Sequence, residues 1–450
     1  MRQSFLKTGI EMKRCSFQMF LICLLSVLIV FSAQVNAIEK VDLSISSIVL
    51  FALHENPDIG MAQEKAIQSE YFIEEAKAGY YPTLQMSASA AREYNNPASG
   101  AEAGKSNVNN SGSLSLVAEQ LLFDGFETVE EVRRRKELTE VAHYQTRGVI
   151  NDVLNDAINY YLSIYRYQKT LDDMDNFITE VDKVVETIKQ MYEAGAASKA
   201  MLDYAQSRRA FARTEYNDAM ASLNDALSNL EFLTGRLPPF NAIPPDRLHP
   251  DKLDIDEYLD FAMDNNTNLK LNESDKMAMK HSLNIERSAY YPEVSFRMEA
   301  GQKNNDGGEV GPDKDVKALF SVQYEIFDGF ARKNATKRTK SQIKELDIRE
   351  EKIVNELKKQ IKLYYNQIQS IKSAIESTQD EIVSNEALQE LNRENFKLGT
   401  INLIELIEGE ERLNAARIRE HTLMSNLYLN TYQLLLEVGS LREQYFCDSC

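Results

Sequence analysis

The chain has 450 residues, with 51 Lys+Arg against 69 Asp+Glu, a formal net charge of −18, 10 Pro, 4 Cys and no Trp. The acidic balance excludes nucleic acid as a partner, because neutralising phosphates takes a basic surface, and a mean hydropathy of −0.41 leaves no room for a bundle of apolar membrane helices. Prolines stand at 57, 82, 97, 238, 239, 244, 245, 250, 292 and 312, so residues 98–237 and 313–450 are proline-free tracts in which long helices can run.

The N-terminus has the form of an export signal over 1–37. Arg2, Lys7, Lys13 and Arg14 precede an apolar run from Met19 to Phe31, and Val35-Asn36-Ala37 offers a small-x-small cleavage site. A retained signal anchor is the alternative, but the apolar core is short for a span. A lipoprotein is disfavoured, because Cys23 lies inside the apolar core and follows Ile22. Cleavage takes four basic residues and Glu11 with it, leaving 413 residues at a net charge of −21.

Residues 38–237 form a first repeat. A helix of about 20 residues is expected to stop at Tyr80-Tyr81-Pro82, since proline drives the preceding residue out of the α region. A β-hairpin over 82–123 follows. Leu84, Met86, Ala88 and Ala90 alternate with Thr83, Gln85, Ser87 and Ser89, and the partner strand places Leu114, Leu116, Ala118 and Leu122 on one face. After Phe123-Asp124-Gly125-Phe126 the period becomes helical, over 126–194 and, after a turn at Gly195, over 199–235. Sixty-nine helical residues would span roughly 100 Å. Thirteen seam positions from Ile150 to Tyr192 cover 42 residues at a mean step of 3.5. They are Ile150, Leu154, Ala157, Tyr161, Ile164, Gln168, Leu171, Met174, Ile178, Val181, Val185, Ile188 and Tyr192. That step is the coiled-coil repeat.

A stiff proline-rich linker occupies 238–254, and residues 255–441 repeat the series. Phe51-Ala52 and Tyr80-Tyr81-Pro82 recur as Phe261-Ala262 and Tyr290-Tyr291-Pro292 at an offset of 210. Phe327-Asp328-Gly329-Phe330, Gly399 and Gly439 then match their first-repeat counterparts at an offset of 204. The second β-hairpin is expected over 292–327, with Val294, Phe296, Met298 and Ala300 facing with Val316, Ala318, Phe320, Val322, Tyr324 and Ile326. The helices are expected over 330–398 and 402–438. Such strands suit either a water-soluble hairpin with one buried face or a tilted transmembrane strand. The latter requires several chains to close the sheet, because bare edges are forbidden in lipid. The tail 442–450 ends in Cys447-Asp448-Ser449-Cys450, a small local disulfide or an exposed pair in an oxidising compartment, with too few ligands for zinc.

The order of these motifs, run twice, resembles the TolC family of bacterial outer-membrane efflux and secretion channels. The resemblance covers nearly the whole mature chain. It rests on the two Tyr-Tyr-Pro sites, the two Phe-Asp-Gly-Phe junctions (Phe123, Asp124, Gly125; Phe327, Asp328, Gly329), Tyr192-Glu193-Ala194-Gly195, Phe396-Lys397-Leu398-Gly399 and Leu233-Thr234-Gly235. It implies a mainly α fold with β: a duplicated strand hairpin plus long coiled-coil helices, with a homotrimer building a β-barrel that continues into a periplasmic α-barrel. It further implies a passive exit duct of a tripartite efflux or type I secretion system in the outer membrane lipid. The implied partners are a periplasmic adaptor (membrane fusion protein) and, through it, an inner-membrane ABC or proton-driven pump.

In that family the segment after the second tip glycine carries the pore constriction, which falls here on Glu405 and Glu408. Three residues apart, they share a helix face. Threefold symmetry would make two rings of carboxylates that attract cations, the alternative being two exposed acids among many. Ile401 and Met201 depart from charged residues that some members use to tie the entrance shut. Gly195, Ala196, Gly399 and Thr400 resemble the tips that meet the adaptor, and a plain helix-turn role is compatible with this. Arg133, Arg134, Arg135 and Lys136 suit either anionic headgroups or a solvated coiled-coil face.

No catalytic constellation is present. Gly100 to Gly104-Lys105-Ser106 resembles a phosphate loop but is one residue short, and the histidines at 54, 143, 249, 281 and 421 lack metal spacing. Neither an enzyme, a cofactor nor a metal site is expected. The competing architecture is a periplasmic adaptor or coiled-coil spacer. An adaptor has one helical hairpin, whereas this chain has two, each preceded by its own amphipathic strands.

Overall fold

The computed structural model describes residues 41–95, 107–235, 237–245, 254–305 and 311–439. The leader, the phosphate-loop-like segment Gly100–Ser106, the linker portion 246–253 and the Cys447/Cys450 tail lie outside the described residues. The elements are β1 (Val41–Leu43), α1 (Ile45–Glu55), α2 (Pro57–Lys77), β2 (Thr83–Asn95), β3 (Asn107–Phe123), α3 (Glu127–Glu193), α4 (Lys199–Thr234), β4 (Phe240–Ala242), α5 (Ile255–Asn265), α6 (Thr267–Ser288), β5 (Glu293–Asn304), β6 (Pro312–Gln323), α7 (Ala331–Lys397) and α8 (Leu403–Val438). From α1 to α4 and from α5 to α8 the same series runs twice. α3 and α7 each have 67 residues, and α4 and α8 each have 36.

The helical stretch before each Tyr-Tyr-Pro comes in two pieces. Asn56 ends the first pair: its Oδ1 accepts the Asp58 N–H at 2.9 Å, and Pro57 opens α2, where a missing N–H is harmless. Asn266 does the same for α6, accepting from Asn268 and Leu269 at 3.0 and 3.2 Å. α5 opens on a reciprocal cap between Asp254 and Glu257.

Two compact units result. One comprises the described residues within 52–159, 254–381 and 422–439, and is called the sheet unit. Its four strands are antiparallel in the order β2-β3-β5-β6. Pro82 and Pro292, which cannot donate to a ladder, immediately precede β2 and β5. β6 leaves the ladder at Gln323, opposite Glu293, so Tyr324 and Ile326 lie beyond it and not on the strand as their alternation suggested. The Glu325 carbonyl is instead taken by Arg332 Nη2 at 2.7 Å.

The helices of this unit take the same lateral order as its strands. Thr139 and Thr146 of α3 donate to the Ser69 and Ala62 carbonyls of α2, both at 3.1 Å. Glu130 of α3 meets His281 and Asn284 of α6 at 2.7 and 3.0 Å, and Asn272 of α6 donates to the Leu346 carbonyl of α7 at 3.2 Å. A core of Tyr258, Ala262, Leu357, Ile361, Ile368, Leu434 and Val438 packs α5 against α7 and α8.

The other unit comprises the described residues within 41–51, 160–245 and 382–421 and contains the ends of both helical hairpins; it is called the tip unit. Its core joins Phe177, Val181, Val185 and Ile188 of α3 to Leu202, Ala205 and Ala212 of α4 and to Leu403 and Ile407 of α8. The proline-rich connection is not wholly irregular, since β4 pairs in parallel with β1. The buried Tyr161 hydroxyl lies 2.8 Å from the Leu43 carbonyl oxygen and 2.7 Å from that of Ile243, sharing its proton between them. Gln168 bonds both the Phe240 carbonyl and the Ala242 N–H.

Candidate functional site

Residues directly opposed across an antiparallel ladder point to the same side. The observed register therefore assembles two faces from the alternating strands. On one, Leu84, Ala118, Met298 and Ala318 form a row, Met86, Leu116, Ala300 and Val316 the next, and Phe296 stands against Phe320 with ring centroids 4.7 Å apart. On the other, the rows are Gln85, Val117, Glu299, Lys317 and Thr83, Glu119, Arg297, Leu319. The apolar face is open: Met86 is 72% and Phe320 70% exposed. β2 and β6 are the two ends of the strand order. In water such a sheet would leave a contiguous apolar face uncovered, the mark of an interaction or membrane surface.

Each strand pair is tied to its long helix by an Asp-Gly-Phe turn. Gly125 and Phe126 have φ of 68° and 71°, and Gly329 and Phe330 have 65° and 69°. Two successive left-handed residues reverse the chain sharply, and the Phe pays a steric cost that glycine does not. Edge-to-face packing holds it: Phe123–Phe126 and Phe327–Phe330 each have centroids 5.5 Å apart. The aspartates then cap the helices, with Asp124 Oδ2 accepting the Thr128 N–H and Asp328 Oδ2 the Arg332 N–H, both at 2.7 Å. Those roles for Asp124 and Asp328 belong to helix initiation.

The two junctions differ in their surroundings. Gly125 is crowded, since a Cβ there would lie 2.5 Å from the Ser288 carbonyl oxygen, whereas Gly329 faces open space. In the second repeat Arg332 adds bonds to Asp328 at 2.8 Å, to the Ala289 carbonyl at 2.6 Å and to the Glu325 carbonyl. The Arg332 backbone N–H first, and then its guanidinium, hold the Asp328 carboxyl below the usual range. The first repeat has Thr128 in that position, with the hydroxyl on Asp124.

In the tip unit, Gly195 (φ 76°) and Gly399 (φ 72°) end α3 and α7. Ala196 N–H reaches the Met191 carbonyl at 2.7 Å and Gly195 N–H that of Tyr192 at 3.0 Å. Thr400 and Gly399 repeat the pattern on Asn395 and Phe396, both at 3.0 Å. This is the Schellman closure, which needs a left-handed residue. Beside the second tip lies a groove of about 790 Å³, whose apolar lining includes Met191, Met201, Phe396, Leu398, Ile401 and Leu403.

Glu405 and Glu408 both stand exposed on the first two turns of α8. Glu405 is engaged with the start of its helix: its N–H donates to Asn402 Oδ1 at 3.0 Å, and its carboxylate accepts from Asn402 Nδ2 at 3.3 Å. Glu408 has Arg412 at 3.9 Å, one turn on. The strongest acid–base contacts of this unit involve their neighbours. Arg208 of α4 forms a fork–fork pair with Glu411, and that carboxylate raises the Arg208 pKa further. Arg393 of α7 bonds Glu410 at 2.6 Å and approaches Glu180 of α3 at 3.4 Å. Arg417 meets Glu386, and His421 meets Asp173 at 2.6 Å. Gly409 lets α8 approach Gln389, whose Nε2 donates to the Leu406 carbonyl at 3.1 Å. None of these cross-helix contacts had a local signal except Gly409, a glycine inside an otherwise helical stretch. Among the described residues, no group of three or more His, Cys, Asp or Glu is placed to hold a metal ion, and no helix is long and apolar enough to cross a membrane.

The model of the outer membrane efflux protein family matches this chain twice, over residues 51–236 and 259–439. The chain belongs to that family. One match falls in each half of the chain. The outer membrane efflux protein BepC of Brucella suis is 17% identical over 331 residues, covering 73% of this chain and 72% of its own. The crystal structure of the Campylobacter jejuni CmeC outer membrane channel superposes with a TM-score of 0.78 at 14% identity, covering 88% of this chain and 85% of that one. VceC, an outer membrane protein of Vibrio cholerae, gives 0.74 at 14% identity, covering 88% and 96%. The fold is thus the TolC-like one, and the protein is an outer-membrane efflux or secretion channel with a periplasmic portion.

Proposed function

We propose that three copies of the chain close one β-barrel in the outer membrane and act together as a passive exit duct. The observation that carries this reading is the four-stranded sheet with two free edges, one apolar face and one polar face. Lipid tolerates no unpaired strand edge, so a spanning sheet of this kind must be closed by further copies. With the apolar rows against lipid, Glu119, Arg297, Glu299 and Lys317 line the water-filled side.

The duct has no energy source of its own. An inner-membrane ABC or proton-driven pump supplies it, coupled through a periplasmic adaptor (membrane fusion protein) that meets the tips at Gly195, Ala196, Gly399 and Thr400. Glu405 and Glu408 form the constriction, as two stacked carboxylate rings that bind cations. Their exposure on the first turns of α8 supports the assignment: among the described residues neither makes a cross-helix ion pair of the kind that occupies Glu410 and Glu411. Glu405→Ala with Glu408→Ala should weaken divalent-cation block and cation selectivity in planar bilayers. Unchanged block and selectivity would remove the rings from the account.

A further inference from the structure

Because the four helices that adjoin the strands take the order α2-α3-α6-α7 and the strands the order β2-β3-β5-β6, α2 and α7 are the outer two of the four. Each accompanies an edge strand. On α7, residues 331–344 contain no Asp or Glu, in a chain whose net charge is −18. Lys333, Lys337, Lys340 and Lys344 recur there at the i, i+4, i+7, i+11 spacing of one helix face. All four are exposed, and none has a carboxylate partner among the described residues. Lys333 has only the Phe330 ring, at 5.8 Å.

On α2, Glu64, Tyr71 and Glu75 share an exposed face. Tyr71 is 71% exposed, and neither glutamate has a cationic partner among the described residues. The two rows match in length. Glu64 to Glu75 and Lys333 to Lys344 are both 11 residues, about 16 Å of helix. They also match in position, because Glu75 lies two residues before the end of α2 and Lys333 two residues after the start of α7, each in the turn nearest the sheet. α2 runs towards the strands and α7 away from them. With Glu75 beside Lys333, Glu64 falls beside Lys344, and the exposed Met61 comes within one residue of the exposed Ile348.

We propose that the lysine row of α7 is the docking surface for the acidic face of α2 in a second copy of this chain, fixing which sheet edges meet and in what register. The occupant follows from the edges. A head-to-tail ring that joins β6 of one copy to β2 of the next brings α7 of the first against α2 of the second. Lysine stems cover the Tyr71 ring while their ammonium groups reach Glu64 and Glu75. Complementary charge of this kind selects orientation and partner. The inference rests on the multi-copy ring of the preceding section.

The test is cysteine cross-linking in the full chain carrying Cys447→Ser and Cys450→Ser. Copper-phenanthroline oxidation of the Glu75→Cys, Lys333→Cys variant is expected to give disulfide-linked oligomers, and the Glu75→Cys, Lys344→Cys variant none. Trimer seen by native mass spectrometry without a cross-link from the first pair would overturn the proposal. Absence of any assembly in the unsubstituted chain would instead overturn the ring itself, and the proposal with it. Lys337→Glu with Lys340→Glu should lower the trimer fraction several-fold at low salt, and Glu64→Lys with Glu75→Lys in the same chain should restore it. If that lysine variant assembles normally but loses binding to phosphatidylglycerol vesicles, the row serves lipid headgroups and the proposal fails.

Discussion

The two Asp-Gly-Phe junctions permit a comparison in which one backbone conformation is tested in two environments. Gly125 and Gly329 have φ of 68° and 65°, so alanine at either meets the same left-handed penalty, roughly 1–2 kcal/mol. Alanine also restricts the unfolded chain, which offsets about 0.4–1 kcal/mol of that. At Gly329 nothing lies within 4 Å of the added Cβ, and the net loss should stay near 1 kcal/mol. At Gly125 the Cβ would lie 2.5 Å from the carbonyl oxygen of Ser288, the last residue of α6, and 2.9 Å from the Tyr291 Cβ on the connection into β5. That backbone must shift, adding roughly 1–3 kcal/mol. Gly125→Ala is therefore expected to lower the melting temperature about two- to fourfold more than Gly329→Ala. The chain has no Trp, so the melt is followed by circular dichroism of the helices in detergent micelles. Asparagine separates the two costs: Gly329→Asn should be nearly neutral, since Asn tolerates the left-handed region, and Gly125→Asn should remain damaging. Equal losses at the two sites would mean that the Ser288 backbone does not resist a side chain at position 125.

Three further outcomes follow from particular contacts. Gly409→Ala would bring a Cβ to 2.0 Å from Gln389 Oε1; it should destabilise by about 1–3 kcal/mol, and Gln389→Ala in the same chain should recover part of that loss, a non-additivity read from a double-mutant cycle in thermal melts. Burial raises the Glu130 carboxyl, but the bonds from His281 and Asn284, with the charges of His281 and Arg133, outweigh it and bring its pKa below the ordinary 4.5. Its contribution is thus complete above 4.5 and lost as pH falls through the lower folded value. Glu130→Gln should cost about 1–3 kcal/mol at neutral pH by leaving donors unpaired and should flatten the acid limb of the melting profile. Arg332→Gln removes a side chain bonded to Asp328, Ala289 and Glu325; hydrogen exchange should rise across 324–332 with that of 121–128 unchanged.

Most of the fold could be read from where helices are forbidden to continue. Pro82 and Pro292 mark the strand starts, and Gly195, Gly235, Gly399 and Gly439 all have positive φ at helix ends. The 3.5-residue step identified a seam whose Leu154, Ala157, Tyr161, Ile164, Val181, Val185 and Ile188 are buried. The break at Asn56-Pro57 had a readable signal, whereas that at Asn266 depends on a side-chain cap with no proline beside it. β1 and β4 have three residues each, too few to show a period. Tyr161 looked like a seam residue, and its hydroxyl role needed those strands in place. At the tips, Asn402 three residues before Glu405 was a legible cap. The pairing of Arg208 with Glu411, 203 residues apart, depends on which helices become neighbours, and no local pattern encodes that.

The proposed duct requires the sheet to lie between lipid and a water-filled interior, one face to each. Spin labels placed singly at positions 293 to 300 of β5 in outer-membrane vesicles test it directly. A sheet so placed gives a period of two: high collision rates with oxygen at Val294, Phe296, Met298 and Ala300, and with a water-soluble nickel chelate at Glu293, Ser295, Arg297 and Glu299. Labels on both faces responding only to the chelate would contradict a lipid-facing sheet, and with it the channel.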